Sequence, residues 1–270
     1  MVDAAEEWAL YAGHRARFTA ALLGCAGEGA PRGRLCVLGA GKCNDLDLEL
    51  LAARFSEIHL VDFEPASLAA AVSRQTPEVR LSLRPHTVDL ALISPKRAGK
   101  WQRRMPTPAD VQAAAASRLR EILGRLPGPF DVVASACMLT QLSFALRGAL
   151  GEASRALVPA RAATMLLHLN TLVGLTAPGG KALFACDLTS STSYPLDALP
   201  ASADLRLVLR EIVDSGAGYF AANPDLIERM VEEDAGLEAR VEAPELLDPW
   251  LWTGPLGRLY FVYALRLSCR

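Results

Sequence analysis

Two glycines and a spaced series of carboxylates carry the chemistry open to this chain. Gly39 and Gly41 stand directly after the apolar run Leu35, Cys36, Val37, Leu38, and Asp62 closes a second strand-like segment, IHLVD at 58–62. Glycine lets the backbone turn sharply and approach a bound molecule with no Cβ in the way. A carboxylate ending the next strand, ~20 residues on, suits a pair of ribose hydroxyls, although it also serves as an ordinary cap. Between them, Asp45 and Asp47 crowd the start of a helix. A bare helix N-terminus favours an anion, whereas two carboxylates there repel a phosphate and suit a cation.

The turn's spacing narrows the ligand further. Dinucleotide-binding turns read G-x-G-x-x-G, but here Gly39, Gly41 and Cys43 alternate and the third glycine is missing. S-adenosylmethionine offers a ribose and an adenine, no phosphate, and two cations, a sulfonium and an ammonium. It fits these residues better than NAD or FAD.

The elements that must hold these groups follow from periodicity. The continuous apolar run at 35–38 predicts a parallel strand buried on both faces, and IHLVD at 58–62 a second strand ending in a carboxylate. Leu48, Leu51, Ala52 and Phe55 recur at helical spacing between them, and Asn44 with Asp47 reads as a capping box. An amphipathic helix is expected over roughly residues 4–24, as a cover for the site. Residues 94–129 are longer than a simple connection and predict a helix from about Ala109 to Gly124; a second excursion, 189–235, follows the fifth strand. Both are read as helical and loop insertions forming the substrate side, since ligands bind outside the carboxyl ends of the strands.

The ordered series resembles the class I S-adenosylmethionine-dependent methyltransferases. VDFEP at 61–65, TVDLALI at 87–93, FDVVASACMLTQL at 130–142 and LTAPGGKALFACD at 175–187 fall in that family's order, and LEARVEA at 237–243 and GRLYFVYALRL at 257–267 look like its last two strands. Departures are Val37 at the usual acidic position and Cys43 at the last glycine. The resemblance implies one α/β domain over 1–270, with residues 1–30 as a helical cover. Its fold would be a Rossmann-like three-layer sandwich with a mostly parallel seven-stranded sheet ending in an antiparallel strand. It also implies a cofactor site of Gly39, Ala40, Gly41, Asp45, Asp62, Phe63, Asp89, Leu90, Ser135 and Ala136. Phe63 would flank the adenine, or else be core. Asp89 would bind the adenine amino group with Leu90 supplying backbone, or simply start a loop. Ser135 and Ala136 would line the methionine part, or merely permit packing.

No catalytic residue stands out. Tyr11 and His14 on the leading helix face either the methyl group or solvent, and Asp187 either orients an acceptor or caps a loop. Cys137 lacks the proline that precedes a cytosine-directed nucleophile and reads as a buried strand end, as His168 reads as a satisfied core or surface residue. Tyr194, Trp250 and Trp252 are candidate pocket walls or ordinary packing. Lys96, Arg97, Lys100, Arg103 and Arg104, interrupted by Trp101, form a basic loop that would either grip an RNA backbone, cover a small anion or stay solvated. A net charge of −2 at pH 7 argues against a nucleic-acid partner.

The six cysteines contain no CxxC pair, so neither a metal site nor a disulfide framework is suggested. MVDAAEEWAL lacks the basic and apolar order of a signal peptide, and no run approaches a membrane span, so a cytoplasmic location is expected. The expected activity is methyl transfer from S-adenosylmethionine to an oxygen or nitrogen of a small molecule. The alternatives are an RNA or protein methyltransferase, or an inactive cofactor-binding interaction protein; the oligomeric state is not legible.

Overall fold

Alternation along the strands decides the layering of this protein. The computed structural model describes residues 4–27, 32–219, 222–254 and 257–270. Strands β1 (Arg34–Leu38), β2 (Glu57–Asp62), β3 (Leu83–Thr87), β4 (Phe130–Ala136) and β5 (Thr176–Ser190) pair in parallel. On β5 lies antiparallel β8 (Leu259–Ser268), and on β8 lie two short strands, β6 (Glu245–Leu246) and β7 (Trp250–Thr253). The sheet order is β3-β2-β1-β4-β5-β8-β6, with β7 also on β8.

Helices cover both faces, which makes the molecule a Rossmann-like three-layer α/β sandwich. Leu35, Val37, Val132 and Ala134 point to one face, into a cluster with Phe18 and Leu22 of α2 (Ala12–Cys25) and Leu51 of α3 (Leu48–Arg54). Their neighbours Cys36, Leu38 and Val133 point to the other, against Ile122 of α7 (Pro108–Arg125) and Leu172 of α9 (Leu157–Leu175). Each fully buried leucine contributes roughly 1.5–3 kcal/mol, so a strand apolar at every position is tied to both layers.

Three expectations are corrected. The leading helix is broken at Tyr11 into α1 (Ala4–Leu10) and α2; the Trp8 carbonyl accepts instead from Arg15 Nη1 at 3.0 Å, with the guanidinium 3.6 Å over the Trp8 ring. Residues 1–3 and 28–30 of the expected cover lie outside the described residues. Second, 237–243 is not a strand. Asp234 caps a turn of helix, α12 (Ala235–Glu238), and the Val241 amide donates to the Leu237 carbonyl at 2.9 Å. Only Val241 then bridges to Cys269, and β6 and β7 both pair with β8, giving eight strands in place of seven. Third, Asn44 and Asp47 form no capping box: Asp47 is itself the N-cap of α3 and accepts from the Leu50 amide, while the Asn44 side chain accepts from Arg74.

Among the remaining helices, α4 (Pro65–Ser73) and α5 (Pro77–Arg80) join β2 to β3, and α6 (Pro95–Arg103) precedes α7 in 94–129. A Thr107–Asp110 capping box starts α7, whose span matches the expected 109–124 closely. Met138–Leu150 is α8, directly after β4; α10 (Leu205–Asp214) and α11 (Pro224–Glu233) lie within 189–235. No helix among the described residues is long and apolar enough to cross a membrane.

Candidate cofactor and acceptor site

Sequence order reverses between β1 and β4, and in open α/β sheets a crevice forms outside the carboxyl ends of such a strand pair. Leu38 pairs with Ser135 in the sheet, so the loops leaving β1 and β4 run side by side. Gly39 has a φ of +78°, and a Cβ there would lie 2.1 Å from Cγ of Met138, the first residue of α8. Only glycine meets both demands. The amides of Gly39 and Ala40 donate to the Val61 carbonyl at 2.9 and 3.0 Å, and the Gly41 amide donates to Asp62 Oδ2 at 2.9 Å. Cys43, at the place of the missing third glycine, itself adopts a left-handed φ of +55°.

A cavity of about 820 Å³ opens over this loop, within the ~300–1,000 Å³ of small-molecule sites. Gly39, Ala40, Gly41 and Asp62 line it, as do Phe63, Asp89 and Leu90 from the ends of β2 and β3. Phe63 is no core residue: it is 68 % exposed at the rim. Asp45, Ala136 and Cys137 line the deeper part. Ser135 is the exception among the expected cofactor residues. It is fully buried, and its hydroxyl is bonded to His168 Nε2 at 2.7 Å on the α9 side, away from the cavity; alternation along β4 turns it inward while Ala136 faces out. That bond also makes His168 a satisfied core residue, held neutral by burial with its pKa near 4.

Of the catalytic candidates, Tyr11 and Asp187 line the cavity and His14 does not. His14 is buried beside Asp45 and is therefore not on a solvated helix face. Its Nδ1 accepts from Trp250 Nε1 at 3.0 Å, which leaves its proton on Nε2, 3.7 Å from Asp45 Oδ1. Burial lowers its pKa to about 4. The carboxyls move the other way. Asp45 keeps 20 % of its side-chain surface open but its Oδ1 is enclosed; Asp187, which lies within β5 three residues before its last residue and beside a register shift, instead of ending the strand, is 8 % exposed. Burial raises both to about 7, and Asp187 adds to the rise at Asp45. Oδ1 of each reaches no hydrogen-bond donor among the described residues. Burial likewise pushes the Cys137 thiol well up, so it has no thiolate to offer as a nucleophile.

Several wall residues were not foreseen. Thr140 and Phe144 come from the first turns of α8, Tyr219 follows α10, and Tyr260 stands on β8 opposite Trp252. The available signal was that α8 begins immediately at the switch point, with an exposed Phe144. Trp252 lines the cavity, whereas Trp250 is buried against His14 and Tyr194 is bonded to Glu211.

The basic segment is corrected from a loop to helix α6, on which Trp101 is buried in the core and not presented for stacking. None of 94–129 lines the cavity, and Tyr219 alone does so among the described residues of 189–235. Both excursions pack mainly against the outer helices and the sheet, leaving the wall to α8 and β7–β8.

No protein-family model and no curated protein matches the chain. Solved structures similar to it include magnesium protoporphyrin IX methyltransferase from Synechocystis PCC 6803 with bound SAH, at 11 % identity over 99 % of this chain and 88 % of that one, TM-score 0.49. Geranyl diphosphate methyltransferase in complex with SAM is 11 % identical over 98 % and 91 % of the two chains, TM-score 0.45. TrmN from Thermus thermophilus is 11 % identical over 97 % and 52 %, TM-score 0.48. The fold assignment rests on the strand order and register described above.

Proposed function

We propose that this chain, with its Rossmann-like fold and switch-point cavity, is an S-adenosylmethionine-dependent methyltransferase that transfers a methyl group to an oxygen or nitrogen of a small molecule. The occupied start of α3 carries the reading. Asp47 already caps that helix through the Leu50 amide, so the position where a dinucleotide would rest its pyrophosphate offers a carboxylate in place of free amides. Charge agrees: Glu7, Asp45, Asp62, Asp89 and Asp187 line the cavity against Lys42 and Arg258, and Lys42 is bonded to Glu7 at 3.0 Å. The excess of carboxylates favours a cationic ligand.

Asp62 would accept from the ribose hydroxyls, since each of its oxygens takes one backbone amide, from Gly41 or Glu64, and keeps a further lone pair. Phe63 would cover the adenine, with Asp89 and Leu90 at its edge. Asp45 would receive the ammonium, and Ala136 and Cys137 would border the sulfur. The bound cofactor supplies an electrophilic methyl on a sulfonium. The chain's work is then alignment and exclusion of water, which bring much of the rate in a reaction already downhill. The cations of α6 lie outside the cavity, so replacing Lys96, Arg97, Lys100, Arg103 and Arg104 by Gln should leave cofactor affinity unchanged.

Calorimetry tests the reading. S-adenosylmethionine and its demethylated product should bind and NAD should not, and demethylated product should then form with one of a set of pooled metabolites. Micromolar binding of NAD with neither sulfur nucleotide bound would sink it.

A further inference from the structure

The cofactor placement proposed above leaves free the end of the cavity built by β5, β7 and β8, and one carboxylate oxygen there lacks a donor. Asp187 is 8 % exposed and lines the cavity, and its Oδ1 meets no donor among the described residues. Register sets its surroundings. Asp187 pairs with Val262 of β8, while Trp250 pairs with that same Val262 and Trp252 with Tyr260. Residues paired across antiparallel strands point to one face, so the carboxylate and the two cavity rings, Trp252 and Tyr260, share a side of the sheet. Those rings lie with centroids 5.0 Å apart, and Tyr11 stands 4.9 Å from Trp252.

The Thr140 hydroxyl and the local backbone offer the Asp187 carboxyl hydrogen bonds, but the groups around it bring no opposite charge. They are Asp45 from the β1–α3 loop, Cys137 at the end of β4, Cys186 beside it on β5 and Tyr263 on β8, while the Thr140 hydroxyl of α8 bonds the Asp187 carbonyl at 3.2 Å. None is cationic. A buried carboxylate with one oxygen unsatisfied and no countercharge is costly, and a ligand ammonium both satisfies it and is drawn to the electron-rich faces of aromatic rings.

We propose that the methyl acceptor is an amine, bound as its ammonium between Asp187 and the rings of Trp252 and Tyr260, with Asp187 taking its proton before transfer. This substrate class rests on the S-adenosylmethionine reading. In the step, an ammonium N–H bond breaks and its proton passes to the Asp187 carboxylate, leaving a neutral amine and a carboxylic acid. The nitrogen lone pair then forms the N–C bond to the methyl carbon as the C–S bond breaks. Its electron pair stays on sulfur, giving a methylated ammonium and a neutral thioether. A carboxyl that titrates near neutrality suits this base role.

The test is calorimetry on the full chain with two matched probes, 2-phenylethylamine and 2-phenylethanol, and with S-adenosylhomocysteine. The parent should bind the amine at least tenfold more tightly than the alcohol, and the preference should fade as the pH drops below about 7. Asp187→Asn should bring the amine to the level of the alcohol while S-adenosylhomocysteine affinity changes less than threefold; Asp45→Asn should show the reverse pattern. Equal binding of amine and alcohol by the parent overturns the proposal without need of a variant, and so does an Asp187→Asn protein that keeps the preference. Amine preference without any binding of S-adenosylhomocysteine would remove the cofactor reading and leave the amine site standing.

Discussion

Asp62 and Asp89, at the β2 and β3 end of the cavity, spend their oxygens on amides of nearby turns. Asp62 accepts from Gly41 and Glu64 at 2.9 and 3.0 Å, and Asp89 accepts from Ala91 at 2.8 Å. At the other end, Asp45 and Asp187 each hold an enclosed Oδ1 with no donor. The same residue type is therefore prepared in opposite ways. At the first end, N–H dipoles fix the acceptor's direction before any ligand arrives. At the second, burial disfavours the charge, and it becomes favourable when a cation enters.

The largest test of this contrast is pH. Asp187 has a folded-state pKa raised from 3.8 to about 7, so between those values the native protein holds a proton that the unfolded chain releases. Stability from this group is present below the unfolded value and is lost as the pH rises through about 7. Asp187→Asn should remove that loss, making the ligand-free variant more stable than the parent by up to ~3 kcal/mol at pH 8, with the gap closing toward pH 4. His14 and His168, lowered to about 4, work in the opposite sense on acidification. They are common to both proteins, so the difference in denaturant midpoint reports Asp187 together with the part of the Asp45 rise that Asp187 causes. A gap that does not vary with pH would mean that the two ends are not electrostatically distinct.

At the other end, Asp62→Ala should weaken S-adenosylmethionine binding by ~1.5–3 kcal/mol, the loss of a charged acceptor. Titration calorimetry reads this directly, with far-ultraviolet dichroism as the check on folding. The variant also frees the Gly41 amide, so part of the loss comes from a looser glycine loop. A folded Asp62→Ala protein binding as well as the parent would break the assignment of this end to the ribose.

The smallest effect should come from Phe63→Ala. Its ring is mostly exposed and outside the core, so the midpoint of unfolding should move by no more than ~0.5 kcal/mol. Cofactor affinity should fall by ~0.5–1.5 kcal/mol, the scale of one aromatic contact. A large stability loss with unchanged affinity would show that the ring packs and does not cover a ligand.

Legibility differed between the two ends for a physical reason. Gly39, Gly41, Asp62 and Phe63 were readable because their places follow from strand-to-turn transitions beside apolar segments, whereas Asp89 and Leu90 came from the family resemblance alone, since β3, LRPHT, carries no apolar run. The acceptor end was not. Tyr219, Tyr260 and Thr140 carry no local signal, and what brings them together is pairing of β7 with β8 and of β8 with β5 across sequence separations that no period records. Ser135 and Ala136 show the limit on a finer scale. The sequence placed both at the end of β4, but which of two neighbours faces the ligand is a matter of pleat and register.

By itself, the sequence determined the buried first strand, the glycine turn after it and the carboxylate that closes β2. These depend on periods of two and 3.6 residues and on backbone freedom that the chain carries locally. Tertiary structure alone decided that the basic segment is a helix with Trp101 in the core, that Asp234 caps a single helical turn ending at Glu238 in place of the expected strand, and that His14 stands beside Asp45. It also decided which carboxylates lose water. Desolvation depends on every element packed around a group, and no stretch of chain short enough to read by pattern contains them all.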